Sequence, residues 1–367
     1  MSRKTVCLNM IVKNEAHVIR RCLESVLPLI DSWLIVDTGS SDGTQALIRE
    51  YLKDLPGELV ERPWVDFAHN RSEAIELARA RADYLLFIDA DDCFQLDAGF
   101  RMPVLDAQAY EIQIDYASIS YRRVAMVSTA LPWRWEGVIH EYLECGQPCT
   151  RALLPGVRMK IVGGGGRSLQ GAEEKYRRDA EVLERALQRE PDHPRYTFYL
   201  AQSYRDCGEL EKSLSVYRRR AQLGGFAEEA FCALLEAARL CRRLGRSSRE
   251  ISEAYLQAYD YRPTRAESLG ELAEYHRLNG PRWPLAQLYA RAAIAIAQPD
   301  DVLFVSVEWY QWRALDEYAI ASYWMGDYEA CRQSCESLLG GGLLPAAHRE
   351  RVQKNLGFAL DKLAGRT

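Results

Sequence analysis

The sequence predicts an α/β domain built on a largely parallel sheet, followed by an all-α array of repeated helices. Three observations carry this expectation. Between residues 5 and 92, short apolar runs alternate with stretches of helical spacing. From about residue 105 to 162 the texture turns β-rich, and from Glu173 onward everything reads as helix and repeats. A chain of 367 residues is long enough for two domains, each with its own core. The charge divides in the same place. Residues 1–166 carry 18 basic and 23 acidic side chains, whereas residues 167–367 carry 29 of each.

The elements follow in order. Thr5–Val12 is a β-branched, apolar run that reads as a buried strand. Ala16–Leu29 places Val18, Ile19, Cys22, Leu23 and Val26 on one helical face. Trp33–Val36 is a short strand, 43–54 a helix, Glu58–Arg62 a strand and 70–82 a helix. The apolar strand Tyr84–Ile88 then ends at Asp89-Ala90-Asp91-Asp92. Strands separated by helices imply right-handed βαβ units and a parallel sheet. Ligands of such sheets bind beyond the carboxyl ends of the strands, where Asn14, Asp37, Asp89 and Asp91 all lie. Tyr110–Ile114 and Ser118–Ser128 read as antiparallel strands, and Val157–Val162 as one more, running into Gly163–Gly166 as a hinge or close-approach loop.

In the second half the motif Leu200-Ala201, Tyr204, Gly208 recurs as Ala237-Ala238, Cys241, Gly245, then as Leu272-Ala273 with Gly280, and as Tyr318-Ala319 with Gly326. Counting Gly357, the small residues at 201, 238, 273, 319 and 357 lie 37, 35, 46 and 38 apart. The long interval holds an extra segment around Pro299–Val307. The pattern resembles tetratricopeptide repeats, in which small residues let paired helices approach and the glycine opens the turn. The expected domains are therefore 1–166 and 167–367, with the boundary between Gly163 and Glu173.

Composition narrows the function classes. With 48% hydrophobic, 27% charged and 10% aromatic residues, the chain is neither disordered, collagen-like nor a disulfide miniprotein. A net charge of −5 with no basic stripe argues against a nucleic-acid partner. No apolar run reaches the ~18 residues of a membrane span, and Met1–Glu15 has no signal-peptide pattern. Ten cysteines without export signals suggest buried thiols in a reducing cytoplasm. Cys145/Cys149 and Cys331/Cys335 lack the second ligand pair of a zinc site.

The chemistry concentrates in the first half. Two carboxylates at i, i+2 past a strand end, Asp89 and Asp91, can share one hard cation, so Mg²⁺ or Mn²⁺ bridging a diphosphate fits them. Three stretches carry a specific resemblance: Asn9-Met10-Ile11-Val12-Lys13-Asn14-Glu15, Ile35-Val36-Asp37-Thr38-Gly39-Ser40-Ser41-Asp42-Gly43-Thr44, and Phe87-Ile88-Asp89-Ala90-Asp91-Asp92. Together they resemble an inverting family 2 glycosyltransferase with a GT-A fold, over most of residues 5–145. Phe67-Ala68-His69-Asn70-Arg71 is similar to the family's segment before the helix leading into the Asp-x-Asp strand. Trp135-x-Gly137-x-Ile139-His140-Glu141 and Lys175–Arg205 resemble a branch with C-terminal tetratricopeptide-like repeats, which includes the peptide S-glycosyltransferases of glycocin biosynthesis.

The resemblance implies a nucleoside-diphosphate sugar donor, a UDP-sugar foremost, and a peptide, protein or saccharide acceptor held partly by the repeats. It places Val12, Asn14, Glu15 and Asp37 around base and ribose, adds Asn70 and Arg71 to the nucleotide site, and gives ribose and metal–diphosphate to Asp89 and Asp91. It also makes His140 a third metal ligand, the alternative being a satisfied, half-buried histidine beside Trp135. Thr38 departs from the pattern, because many members have a second Asp there. Gly163–Gly166 stand where the branch often has a histidine. Single displacement needs a base beside the acceptor, for which Glu141, Glu136 and Asp92 are candidates, Glu141 first because it adjoins His140. Arg122 or Arg123 would neutralise the leaving diphosphate, or lie on a solvated strand face. Trp133 and Trp135 would stack on a sugar or serve in packing. The competing reading is a silent domain fused to a scaffold whose repeats bind a protein partner. Exposed repeat faces are compatible with a homodimer. Nucleotidyl transfer is disfavoured, since Lys13-Asn14-Glu15 is no glycine-rich, lysine-bearing loop.

Overall fold

The computed structural model describes residues 3–116, 119–162 and 172–365; Ser118 and Gly163–Gly166, named above, lie outside the described residues. The chain forms two units, Met1–Glu209 and Leu210–Thr367.

The first unit opens with β1 (Val6–Val12), α1 (Ile19–Val26), β2 (Ser32–Asp37), α2 (Thr44–Tyr51), β3 (Gly57–Glu61), α3 (Phe67–Ala78) and β4 (Tyr84–Phe87). The strands run in parallel in the order β3-β2-β1-β4. Both faces of this sheet are covered, which is why its strands read as continuous apolar runs rather than alternating ones. Val6, Leu8, Met10 and Val12 of β1 pack on one side with Ile19, Cys22, Leu23 and Val26 of α1. Cys7, between them, points to the opposite face with Ala74, Ile75 and Ala78 of α3. Asn9 is the polar exception in β1, and its amide donates to the carbonyl of Ala74 at 2.9 Å, so its burial leaves no donor stranded.

The sheet then turns mixed. It continues through β7 (Ile119–Ser128), β6 (Ala109–Tyr116), β10 (Arg151–Lys160) and β5 (Cys93–Leu96). β7 runs antiparallel to both β4 and β6, β10 parallel to β6, and β5 antiparallel to β10. A separate hairpin, β8 (Arg134–Glu136) with β9 (Tyr142–Glu144), lies against α3. Here the tryptophans serve in packing. Trp133 and Trp135 are buried with Leu131 and Leu143, and the Trp133 indole donates to the carbonyl of Ser128 at 3.0 Å. The unit ends with α4 (Ala172–Arg189) and α5 (Pro194–Asp206).

The second unit is helical: α6 (Leu210–Gln222), α7 (Ala227–Arg243), α8 (Ser248–Tyr261), α9 (Glu267–Leu278), α10 (Trp283–Ile294), α11 (Ala314–Trp324), α12 (Tyr328–Gly340) and α13 (Ala346–Leu363). The repeat glycines have one shared job. Gly245, after α7, sits at φ +65°, and Gly326, after α11, at φ +79°, the left-handed position that closes a helix end. Residues at successive small positions, Ala238, Ala273 and Ala319, are all buried. Ion pairs join every second helix. Arg239 Nε of α7 reaches both oxygens of Glu271 on α9 (3.0 and 3.1 Å), and Arg242 Nη1 lies 2.9 Å from Glu274. Arg277 of α9 pairs with Glu317 of α11, and Asp316 of α11 with Arg351 of α13.

The extra segment before α11 is pinned, not loose. Arg265 is fully buried and bonds Glu267 (2.8 Å), Asp301 (3.0 Å) and the carbonyls of Leu303 and Phe304. Glu228 accepts from the backbone amides of Val302 (2.7 Å) and Leu303 (2.8 Å). Among the described residues, no helix is long and apolar enough to cross a membrane.

Candidate functional site

The carboxyl ends of β1, β2 and β4 carry the acidic and loop residues singled out above. Asp37 ends β2 and is buried. Its Oδ1 accepts from the amides of Gly39 (2.9 Å) and Ser40 (2.8 Å) and from Gln45 Nε2 (3.0 Å). Burial alone would raise its pKa, yet hydrogen bonds from Ser40, Gln45 and Gly39 outweigh it and hold the carboxyl below its ordinary range. Its other oxygen, Oδ2, is buried and accepts no hydrogen bond from the described residues. An ionised oxygen left in that state is a ready acceptor for a ligand N–H or O–H.

Two loops are laced together beside it. The carbonyl of Val12 accepts from the amide (2.9 Å) and hydroxyl (3.1 Å) of Thr38. Asn14, at φ +56°, donates its amide to Ser40 Oγ and accepts from the Ser41 amide, and the Glu15 amide donates to Thr44 Oγ1. Asp42 completes the lacing through the amide of Ala16. Thr38, the departure from the family pattern, is thus buried as a strut between loops.

Past β4 lies an acidic turn under arginine control. Asp89 Oδ1 is bonded by Arg71 Nη2, and Arg123 Nη1 stands 3.5 Å from Oδ2. Burial would raise the pKa of Asp89, but the charges of Arg71 and Arg123 push it far below the usual carboxylate range. Asp92 behaves in the opposite way. Burial, then the negative charge of Asp89, push it up to about 7. Asp91 is half-buried, and its carbonyl accepts from Arg21 Nη2 of α1 at 2.8 Å.

Other expected residues are placed as follows. Of the two arginines on β7, Arg123 reaches Asp89, whereas Arg122 turns to Gln113 (3.4 Å). Asn70 has both ends of its amide engaged with backbone, accepting from Val65 (2.9 Å) and donating to Pro63 (3.0 Å), so it closes the loop before α3. Glu136 accepts from Arg134 (2.7 Å) and Tyr142 (3.2 Å) within its hairpin. Glu141 Oε1 lies 2.8 Å from Arg71 Nε. The ring of His140 is stacked on Tyr199 at 4.0 Å. Among the described residues no group of three or more His, Cys, Asp or Glu side chains is gathered as a metal site, so Asp89, Asp91 and His140 do not assemble as a trio.

Residues 7–134, which include all of these strand ends, match the sequence model of the glycosyl transferase family 2. The first unit carries a family 2 glycosyltransferase domain. Over 240 residues, 59% of this chain, it is 25% identical to the SPbeta prophage-derived glycosyltransferase SunS of Bacillus subtilis, covering 54% of that protein. Over 94 residues, 25% of this chain, it is 39% identical to a TPR repeat-containing protein of Synechococcus elongatus, covering 22% of it. A lipopolysaccharide core biosynthesis glycosyltransferase, LpsC of Rhizobium meliloti, is 34% identical over 115 residues, 30% of this chain and 39% of LpsC. The chain thus spans about a fifth to about half of these relatives' lengths. A solved tetratricopeptide repeat protein from Parabacteroides merdae aligns with 53% of this chain and 70% of its own at 16% identity and a TM-score of 0.38, too slight to carry an argument.

Sequence reasoning singled out none of three residues that touch the candidate site residues: Arg21, Arg195 and Tyr199. Arg21 announces itself only as one of two arginines on a helix, and its contact with Asp91 spans 70 positions. Arg195 and Tyr199 lie on α5, well beyond the matched region, although Tyr199 stood in a noted motif.

Proposed function

We propose that this chain is a metal-dependent inverting glycosyltransferase that moves a sugar from a nucleoside-diphosphate donor to a peptide, protein or saccharide acceptor. The observation that carries the reading is the placement of Asp37 at the carboxyl end of β2 and of Asp89 and Asp91 just past that of β4, the two strands that flank β1 in a family 2 domain. The spare oxygen of Asp37 suits an N–H of a base or a hydroxyl of a ribose. Asp89 and Asp91 fit Mg²⁺ or Mn²⁺, because such a cation takes one or two protein carboxylates and fills its shell with phosphate oxygens and water. When bound, it supplies positive charge to the diphosphate leaving group. Arg123 and Arg71 keep Asp89 ionised and oriented, and Arg21 fixes the backbone at Asp91. Attack by the acceptor nucleophile at the anomeric carbon, opposite the departing diphosphate, inverts that centre. The free thiols of all ten cysteines favour a reducing compartment, the cytoplasm, as the place of action.

Thermal unfolding with UDP-, GDP- and dTDP-sugars, with Mn²⁺ or with EDTA, tests the reading. One donor should raise Tm in a metal-dependent way, the shift should vanish in Asp91→Ala, and nucleoside diphosphate should be released. No shift with any donor and no release would instead favour a silent domain.

A further inference from the structure

The geometry points to α5 as a positioning element of the transfer site: Arg195 and Tyr199 hold the turn at His140 so that Glu141 fixes Arg71, and Arg71 fixes Asp89. The positioning rests on contacts alone, and its catalytic consequence rests on the glycosyl-transfer reading.

The chain of contacts starts at a strained residue. His140 sits at φ +52°, a left-handed conformation that a non-glycine residue keeps only when its surroundings enforce it. Two side chains of α5 do so. Arg195 donates from Nε (3.1 Å) and Nη2 (2.8 Å) to the His140 carbonyl, and the His140 ring lies nearly parallel to Tyr199, 11° off. Arg195 is itself held, with its guanidinium 4.9 Å from the ring centres of both Tyr142 and Tyr199. A planar fork can meet one carbonyl twice and lie against aromatic faces at once, which lysine cannot.

The next residue transmits the constraint. Glu141 pairs with Arg71 at 2.8 Å, and the two side chains are only 12% and 14% exposed, so solvent screens the pair weakly. Arg71 then has three fixed neighbours: Glu141, Asp89 and the Trp135 ring, 4.9 Å from its guanidinium. Trp135 packs edge-on against Phe87, two residues before Asp89. A carboxylate committed to an arginine is a poor general base, so Glu141 acts through Arg71 as a positioning residue. The Trp135–Glu141 motif and the Asp-x-Asp turn are thereby one mechanical unit, and α5 belongs to it.

The test uses the full chain and Arg195→Ala, Arg195→Lys, Glu141→Gln and the Arg195→Ala/Glu141→Gln double variant, with Arg249→Ala, on an exposed face of α8, as control. Hydrogen exchange should quicken in Arg195→Ala at 137–141 and also at 87–92, with Tm close to wild type. Nucleoside-diphosphate release should fall about 10–100-fold, the range seen when residues supporting a ligand shell are lost. The double variant should be no slower than Glu141→Gln alone, since both changes cut one path. Arg195→Lys, which keeps one donor for the carbonyl, should recover part of the rate. Unchanged exchange at 87–92, a rate within about twofold of wild type, or additive losses in the double variant would overturn the proposal. If the wild type turns over no donor, the glycosyl-transfer reading fails and exchange alone decides the positioning.

Discussion

Replacing Arg265 by methionine should destabilise the helical unit by about 3 kcal/mol, the low end of the range for breaking a buried ion pair. Arg265 has no exposed surface, and its guanidinium meets Glu267, Asp301 and two carbonyls, with the Phe231 ring 4.5 Å away. Methionine roughly preserves the volume, so the loss is electrostatic and not that of a cavity. Removing one partner of a buried pair typically costs about 3–5 kcal/mol, because the other charge is stranded. Two features keep the cost near the lower figure. Asp301 retains Arg262, and Glu267 still accepts from the Ser306 amide (2.9 Å) and the Tyr310 hydroxyl (2.6 Å). For a unit of this size, about 3 kcal/mol corresponds to a fall in Tm of roughly 6–12 °C. Denaturant unfolding followed by circular dichroism gives the difference directly, with Arg249→Ala expected within about 0.5 kcal/mol of wild type. A loss below about 1 kcal/mol, or a gain, would mean that this buried network contributes nothing net.

Two further predictions test the packing and the acid limb. A Cβ on Gly270 of α9 would lie 2.3 Å from Trp309 Cε3, and Trp309 is a buried ring. Overpacking of about 1–3 kcal/mol should therefore exceed the ~1 kcal/mol that alanine gains in a helix, so Gly270→Ala lowers the midpoint in urea, and a raised midpoint would refute the fit. Asp83 accepts from Lys4 Nζ (2.7 Å) and from the amide and hydroxyl of Thr5, which pull its pKa from 3.8 to about 2. A depressed folded pKa stabilises above the unfolded value and loses that stabilisation as pH falls through the folded one. The gap in urea midpoint between wild type and Asp83→Asn should thus be constant above pH 3.8 and close toward pH 2; a gap that persists there contradicts the assignment.

What was legible in the sequence was local. Apolar runs mark β1, β2 and β4, because a doubly covered parallel sheet needs continuous apolar strands, and the acidic residues past their ends mark the candidate site. The repeat glycines were legible because a left-handed helix end strongly favours glycine. The spacing starts α3 at 70, three residues past its true start at Phe67, although Asp66 is a readable cap that accepts from the His69 amide at 2.7 Å. The three-residue strands β8 and β9 and the edge strand β5 are too short for any periodicity to show. The partners of Arg71 were invisible for another reason. Asp89 and Glu141 lie 18 and 70 positions away, and no spacing rule connects residues brought together by a crossing strand and a hairpin.

The paired charges between alternate helices also limit how this array can change length. Glu274 is shared, receiving Arg242 from α7 and Arg313 from the short π-helix Trp309–Arg313 that runs directly into α11. The pairs from α7 to α9 span 32 positions, whereas those from α9 to the π-helix and to α11 span 39 and 40. The additional residues are taken up between α10 and α11, where Asp301 and Glu228 anchor them. One residue added inside α9 would rotate the charges beyond it by about 100° and detach them from their partners. The same residue added to a turn would leave every rung in place. Insertions in this half of the protein are thus confined to its turns, and a homologous array of different length should keep its rungs while varying only the chain between helices.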